Sequence, residues 1–179
     1  MDDVAREAGV SRALLYKYFP NKNSLFVAVV NDLSDRMLTR TAKSIDPNTT
    51  PFEQVRTGVL GYLMQYEKHP YAADSIVLGV GATNPQVLHR DQSDRKYLSD
   101  LLTDRLRETL RLSDDAPATQ LLPALTRAWL AFTQEFIRQW VLCRSLGRDA
   151  VADQCAHALL DTLVRLPGLA PESIKALTT

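Results

Sequence analysis

The chain has 179 residues, enough for one or two small domains that share a core. Its 21 basic and 21 acidic residues balance, so any affinity for nucleic acid must come from local placement of charge. Two cysteines are too few for a secreted disulfide framework, and no apolar run is long enough for a signal-peptide core or a membrane span. The composition therefore predicts a cytoplasmic protein with no membrane partner.

Apolar residues recur at helical spacing along the chain, whereas the alternating runs typical of strands are scarce. We therefore predict an all-α protein. Its first residues predict a helix-turn-helix. Ala5 and Ala8 give a short first helix a small apolar face, and Gly9 suits the turn because glycine has no Cβ to penalise a positive φ. Ser11 is a suitable N-cap for the second helix.

The second helix is predicted to have one buried face and one outward face, from the i, i+1, i+4, i+5 spacing of its apolar residues. The buried face is expected to contain Leu14, Leu15, Tyr18 and Phe19. The outward face is expected to contain Arg12, Ala13, Tyr16 and Lys17. Basic, aromatic and short side chains of this kind can reach phosphates and base edges from the major groove. A helical hairpin at the surface, without a partner, is the plainer interpretation of the same pattern.

A third helix is predicted to begin directly after the second. Pro20 ends the second helix and Asn21 can cap the next. Lys22 then opens this helix, where free backbone N–H groups and the positive end of the helix dipole attract a phosphate. Apolar residues continue at helical spacing as far as Ser44, which predicts one long helix that leaves the helix-turn-helix and enters the rest of the chain.

The segment from Val4 to Phe26 closely resembles the DNA-binding domain of the TetR family of transcriptional regulators, with its Ala-Gly turn, its Leu-Tyr-Lys-Tyr-Phe block and the lysine that opens a long helix. The resemblance implies a homodimer that binds double-stranded operator DNA through residues 1–44 and carries an effector-binding and dimerisation domain in residues 45–179. DNA contacts are then expected from Ser11, Arg12, Ala13, Tyr16, Lys17, Tyr18 and Lys22. The family has a further helix before this motif, so we expect that the start is truncated or that some residues are absent from the sequence.

Three helices are predicted between the long helix and residue 112. The first begins with Thr50 as N-cap and Pro51 at its first position. Gly58 and Gly61 within it either permit close packing or make room for a ligand, because glycine is unfavourable inside a helix. A short helix is predicted over 71–78, and a longer one begins at Asn84-Pro85.

The last two long helices, predicted over about 120–146 and over 150–166, are apolar on more than one face. Such a helix is buried in a large core, or it contacts its own domain on one side and a partner on the other. The family places its four-helix dimer interface in this part of the chain. The residues assigned to that interface are Ile137, Val141, Cys155, Leu159, Leu160 and Leu163.

Aromatic residues on the helix that begins at Pro51 and on the helix over about 120–146 predict a cavity for a ligand. An aromatic stripe can also be plain core, but the family has an internal ligand cavity between such helices. The residues assigned to the site are Tyr62, Tyr66, Trp129, Phe132, Thr133, Phe136 and Trp140. We expect a small effector that is largely hydrophobic or aromatic, with a few hydrogen bonds to orient it.

The sequence shows no constellation of nucleophile, base and orienting group, so we expect no enzymatic activity and no cofactor. His157 and Asp161 have the spacing of two metal ligands on a helix, but no third ligand is apparent. We therefore predict a ligand-responsive transcriptional repressor that a small apolar effector releases from a near-palindromic operator. The alternative is a helical dimer that binds a small molecule or a protein but not DNA.

Overall fold

The computed structural model of the chain describes residues 1–68, 79–143 and 145–178, and all regular structure in them is helical. This confirms the all-α prediction. The elements in order are α1 (Asp2–Glu7), α2 (Arg12–Tyr18), α3 (Lys22–Ser44), α4 (Pro51–Lys68), a 3-10 turn (Val80–Thr83), α5 (Pro85–Leu110), α6 (Pro117–Cys143), α7 (Arg148–Leu163) and α8 (Pro171–Thr178). The short helix predicted over 71–78 lies outside the described residues. None of the described helices is long and apolar enough to cross a membrane.

Side-chain caps fix the starts of the helices, as the sequence predicted. The Ser11 hydroxyl accepts a hydrogen bond from the Leu14 backbone N–H at 3.1 Å. Asn21 and Ser24 form a reciprocal pair: the Asn21 side chain accepts from the Ser24 N–H at 2.8 Å, and the Ser24 hydroxyl accepts from the Asn21 N–H at 3.2 Å. The Asn84 side chain likewise accepts two backbone N–H groups of α5. Each cap satisfies donors that a helix start leaves without partners.

The helix-turn-helix of α1 and α2 turns at Gly9, whose φ is +66°. Few of its side chains are buried: within α1 and α2 these are Ala5 and Leu15. The prediction of a four-residue buried face on α2 is therefore too broad. Leu14 is 42% exposed and Tyr18 is 68% exposed, because only the side of α2 that carries Leu15 packs closely against its neighbours.

The helices α4 to α8, which we call the helical bundle, enclose two apolar clusters. One joins α4, α6 and α7 and contains Val59, Leu63, Ile137, Trp140, Val141, Val151, Ala152 and Cys155. The other lies among α5, α6, α7 and α8 and contains Leu106, Leu110, Leu122, Leu159, Leu160, Leu163 and Leu177. Each of α6 and α7 contributes to both clusters, which explains why their sequences are apolar on more than one face.

This packing corrects the predicted dimer interface. All six assigned residues are buried within one chain, with at most 6% of each exposed: Ile137, Val141, Cys155, Leu159, Leu160 and Leu163. The two-faced pattern was attributed to a partner molecule, but the chain's own α4, α5 and α8 cover these faces. The six residues therefore offer little surface to a second subunit in this arrangement of the bundle.

The end of the chain forms one more helix, which follows the last helix predicted from the sequence. Residues Pro171–Thr178 form α8, which packs on α4 and α5. The Ser173 hydroxyl donates to the backbone carbonyl of Leu110 at 2.7 Å, so α8 closes the last turn of α5. The helix predicted over about 120–146 begins earlier, at Pro117, and contains Pro123 in its interior.

Candidate functional site

The outward surface of the helix-turn-helix contains every residue assigned to DNA. Each of the seven is exposed: Ser11, Arg12, Ala13, Tyr16, Lys17, Tyr18 and Lys22. Arg12, Ala13, Tyr16 and Lys17 share one face of α2 by helical spacing. Lys22 is the first residue of α3, beside backbone N–H groups that the Asn21 cap satisfies only in part. The assignment of these residues to DNA stays a prediction.

Charges on this surface differ in how they are paired. Arg12 lies 3.1 Å from a carboxylate oxygen of Asp2, and its guanidinium group stands 5.4 Å from the centroid of the Tyr16 ring. Lys17 and Lys22 make no ion pair with any described residue. The Arg12 pair is exposed on both sides and therefore weak. This surface therefore suits a polyanion. Its two lysines have no ion-pair partner among the described residues, and a phosphate can draw Arg12 away from its carboxylate.

A cavity of about 210 Å³ lies inside the molecule, between α3, α4, α5 and α6. Its walls are mainly aliphatic. They contain Met37, Leu38 and Ile45 of α3, Val55, Gly58 and Val59 of α4, Leu98, Leu101, Leu102 and Leu106 of α5, and Leu130 and Ile137 of α6. Of the residues assigned to a ligand, Tyr62, Trp129 and Thr133 line this cavity. An apolar cavity with a few polar groups is the usual form of a small-molecule site.

Polar groups gather at one end of the cavity. The Tyr62 and Tyr66 hydroxyls lie 3.3 Å apart, and burial, the largest of the causes, raises the pKa of Tyr62 well above its usual value. Burial also raises the pKa of Tyr66. The Gln134 amide donates to a carboxylate oxygen of Asp91 at 3.1 Å. Both phenols therefore stay neutral at physiological pH and can donate a hydrogen bond.

Thr133 presents a hydroxyl that lacks an ordinary partner. It is buried, and its oxygen makes no hydrogen bond with the described residues. The thiol of Cys155 lies nearby, and burial raises the pKa of that thiol to about 11, so the group stays protonated and remains a weak hydrogen-bonding partner. The neighbouring Trp129 is satisfied, because its indole N–H donates to the Cys155 carbonyl at 2.8 Å. A polar ligand atom beside Thr133 would gain a hydrogen bond at little cost.

Four residues assigned to the ligand do not line the cavity. Tyr66 touches its polar end only through Tyr62. Phe132 is 42% exposed on the outer side of α6, where its ring lies against that of Phe136. Trp140 lies in the apolar core, one turn beyond the cavity, with its indole N–H donating to the Leu146 carbonyl at 2.8 Å. The aromatic stripe of α6 spreads over several faces of the helix, so only part of it can face one cavity.

It was not predicted from the sequence that α3 forms a wall of the cavity, because the apolar residues of α3 were assigned to packing alone. Gly58 and Gly61 gave the available signal, since close packing and room for a ligand were both considered. Room for a ligand applies to Gly58, and close packing applies to Gly61. Gly58 lines the cavity. A Cβ on Gly61 would lie 3.2 Å from the hydroxyl oxygen of Thr41, so the absence of a side chain lets α4 approach α3.

Polar contacts join α3 to α5 beside the cavity. Arg90 of α5 contacts Asp35 of α3 at 2.6 Å and Asp94 of its own helix at 2.8 Å. Ser34 of α3 donates to Asp94. Asp94 directly precedes the cavity-lining Arg95, so these contacts between α3 and α5 lie beside the cavity. Among the described residues, no three histidine, cysteine or acidic side chains are placed to hold a metal ion.

Residues 1–29 match the family model described as bacterial regulatory proteins, tetR family. The likeness to the tetR family is therefore established for the beginning of the chain. This match covers the helix-turn-helix and the first third of α3, the segment that carries the capping residues and the unpaired lysines.

Curated relatives match a limited part of the chain. Nucleoid occlusion factor SlmA of Mannheimia succiniciproducens is 36% identical over 52 residues, 29% of this chain and 24% of that protein. SlmA of Pasteurella multocida is 39% identical over 46 residues, 26% of this chain and 23% of that protein. The chain thus spans about a quarter of the length of these relatives.

Two solved structures match almost the whole chain. A TetR-like transcriptional regulator from Rhodococcus sp. RHA1 has a TM-score of 0.68 and 23% identity, and the match covers 92% of this chain and 84% of that one. A tetR-family transcriptional regulator from Streptomyces coelicolor has a TM-score of 0.70 and 20% identity, with 99% and 76% covered. At this level of identity the likeness shows the fold: a helix-turn-helix joined to a helical C-terminal domain.

Proposed function

We propose that this chain is a dimeric transcriptional repressor that a small, largely apolar effector releases from a near-palindromic operator. In this proposal residues 1–44 bind the operator DNA, and residues 45–179 bind the effector and hold the dimer together. One observation carries the proposal: α3 begins at Lys22, on the surface that would face DNA, and ends as a wall of the cavity. The same rigid element thus reaches both sites.

Binding to DNA would use the outward face of α2 in the major groove. Arg12, Ala13 and Lys17 would face base edges or phosphates, while Tyr16, Tyr18 and Lys22 would hold the backbone. The exposure of all these residues and the free lysines support this assignment. Two copies of α2 in one dimer would read two half-sites about one helical turn apart.

Control by the effector would act through α3. A ligand in the cavity displaces the wall formed by Met37, Leu38 and Thr41, and α3 carries that displacement to the helix-turn-helix. The contacts of α3 with Arg90 and Asp94 make α5 move with it. A ligand that weakens operator binding a hundredfold needs a coupling free energy of about 2.7 kcal/mol, and the operator must weaken ligand binding by the same factor.

Dimerisation would use the outer side of α6, in place of the buried residues that the sequence suggested. Exposed apolar residues follow this side at alternating spacings of three and four: Leu121, Ala124, Ala128, Ala131 and, further along the same stripe, Leu142. Such spacing is typical of helices that pair side by side, and alanine allows a close approach. Exposed Phe132 lies next to the stripe and would add aromatic contact area.

Sedimentation tests this interface. Ala128→Glu places a charge in the middle of the stripe and should convert the dimer into a folded monomer, because an unpaired charge at an interface centre is strongly unfavourable. Ala42→Glu is the matched control, since Ala42 is an exposed alanine on α3, away from the stripe. A dimeric Ala128→Glu variant would place the interface elsewhere.

The function itself is tested in two steps. First, footprinting of the DNA upstream of the chain's own gene should show a protected, near-palindromic site. Second, hydrophobic compounds that change Trp129 fluorescence should weaken binding to that site, and the operator should weaken their binding by the same factor. A chain that binds compounds but no DNA would instead support the alternative, a ligand-binding or protein-binding dimer. Binding to DNA that no cavity ligand alters would refute control by an effector.

A further inference from the structure

Two arginines line the cavity, and within the described part of the chain only one of them has a carboxylate partner. Arg95 lies 2.6 Å from a carboxylate oxygen of Asp91. Arg105, ten residues further along α5, makes no ion pair or hydrogen bond with a described residue. Asp104 and Glu108 lie near it in the sequence, but neither pairs with it. The cavity therefore carries one uncompensated positive charge.

The position of Arg105 places this charge at the opening. Most cavity-lining residues are buried or half-buried, and the exposed ones are Leu101, Arg105 and Thr109. These three follow each other every four residues, so they form one face of α5 and mark where the cavity meets solvent. The opposite walls, which include Val59, Thr133 and Ile137, are buried. A molecule that enters beside Arg105 therefore passes from a charged edge into an apolar interior.

We propose that the effector is an amphiphilic carboxylic acid, whose carboxylate binds Arg105 at the opening and whose apolar body fills the cavity. This inference rests on the proposed function of the cavity as the effector site. A guanidinium group binds a carboxylate through two parallel hydrogen bonds, and the low dielectric of the neighbouring apolar wall strengthens their attraction. An amine head group would be repelled at the same place, and an alcohol would gain only a neutral hydrogen bond.

The volume of the cavity sets the length of the apolar body. A cavity of about 210 Å³ with mainly aliphatic walls suits a small apolar body such as a medium-length alkyl chain. Octanoate has a chain of this size and is therefore a suitable probe. 1-Octanol and octylamine share its chain and differ only in the head group, so the three probes separate the apolar interior from the charged opening.

Binding of the three probes to the full chain is measured by calorimetry and by Trp129 fluorescence. Octanoate should bind at least tenfold more tightly than 1-octanol or octylamine. Arg105→Gln should remove this preference and leave the binding of 1-octanol unchanged, whereas Arg105→Lys should retain part of it because the charge remains. Arg165→Gln should keep the full preference, since Arg165 is an exposed arginine that does not line the cavity.

Three results would overturn the inference alone. One is equal affinity of the parent chain for octanoate and 1-octanol, with either still weakening operator binding. Another is a preference for octanoate that persists in Arg105→Gln. If neither probe binds but another apolar compound does and weakens operator binding, the carboxylate assignment again fails while the proposed function stands. If no apolar compound binds or changes operator affinity, both fail together.

Discussion

The helix-turn-helix and the helical bundle are stabilised by different means. Within α1 and α2 only Ala5 and Leu15 are buried, whereas side chains that are almost wholly inaccessible, such as Leu63, Leu122 and Leu159, lie in the bundle. Caps and a left-handed glycine determine the shape of the first region, and burial of apolar surface determines that of the second. The difference teaches that the surface proposed to bind DNA has little stability of its own, which suits an element that a partner orders or reorients.

The same leucine-to-alanine change in both regions gives the largest expected contrast. Leu159→Ala should lower the free energy of unfolding by about 2–5 kcal/mol, because it leaves a cavity in a well-packed core. Leu14→Ala should lower it by less than about 1 kcal/mol, because 42% of Leu14 is already exposed. Urea denaturation of both variants measures these values. Equal losses would mean that the helix-turn-helix is packed as firmly as the bundle.

Two threonines sharpen the comparison within the bundle itself. The Thr126 hydroxyl bonds with Ser99 at 3.0 Å and with Thr103 at 2.8 Å, and all three groups are buried. Thr126→Val should therefore cost about 1–3 kcal/mol, since it leaves two hydroxyls without that partner. Thr133→Val should be neutral or stabilising by up to about 1 kcal/mol, because the hydroxyl removed has no ordinary hydrogen bond.

Thermal and urea unfolding of both variants tests this pair. A large loss in Thr133→Val would show that its hydroxyl has a strong partner after all, such as a bound water molecule. That result would also weaken the argument that a polar ligand atom gains a hydrogen bond there.

The predictability of the two regions from sequence follows the same division. Gly9, Ser11 and Asn21 act through neighbours within a few residues, so the turn and both caps were predicted correctly. Ile137 and Leu160 were assigned to a dimer interface, because an apolar face in a sequence does not say whether the same chain or another one covers it. Arg105 was not assigned at all, since its lack of a partner becomes visible only when the helices around it are in place.

A substitution at Lys17 tests whether the exposed surface of α2 contributes to operator binding and not to the stability of the fold. Lys17→Ala should weaken operator binding about tenfold, or about 1.4 kcal/mol, and reduce the salt dependence by about one unit of slope per protomer. Its free energy of unfolding should change by less than about 0.5 kcal/mol, since the side chain is exposed and makes no ion pair. Lys43→Ala, an exposed lysine at the far end of α3, is the control. Unchanged operator affinity of Lys17→Ala over a range of salt concentrations would remove Lys17 from the interface.

Two glycines isolate the contribution of the backbone at the turn. Gly9 and Gly147 both have open space around the position of a Cβ, with no atom within 4 Å, so an alanine clashes at neither site. Only the backbone differs: φ is +66° at Gly9 and −65° at Gly147. Gly9→Ala should destabilise the turn by roughly 1–2 kcal/mol, because a Cβ is unfavourable in the left-handed region, while Gly147→Ala should change stability by less than about 0.5 kcal/mol.

Because α2 contributes little to the core, the loss of stability in Gly9→Ala should be confined to the helix-turn-helix. Hydrogen exchange of the α2 amides should become roughly five- to thirtyfold faster in Gly9→Ala, with the α7 amides unchanged, and Gly147→Ala should leave the exchange of α2 unaltered. Faster exchange throughout the bundle in Gly9→Ala would mean that the two regions unfold as one unit. In that case α3 would couple them in stability as well as in position, and the contrast between local and tertiary stabilisation would not hold.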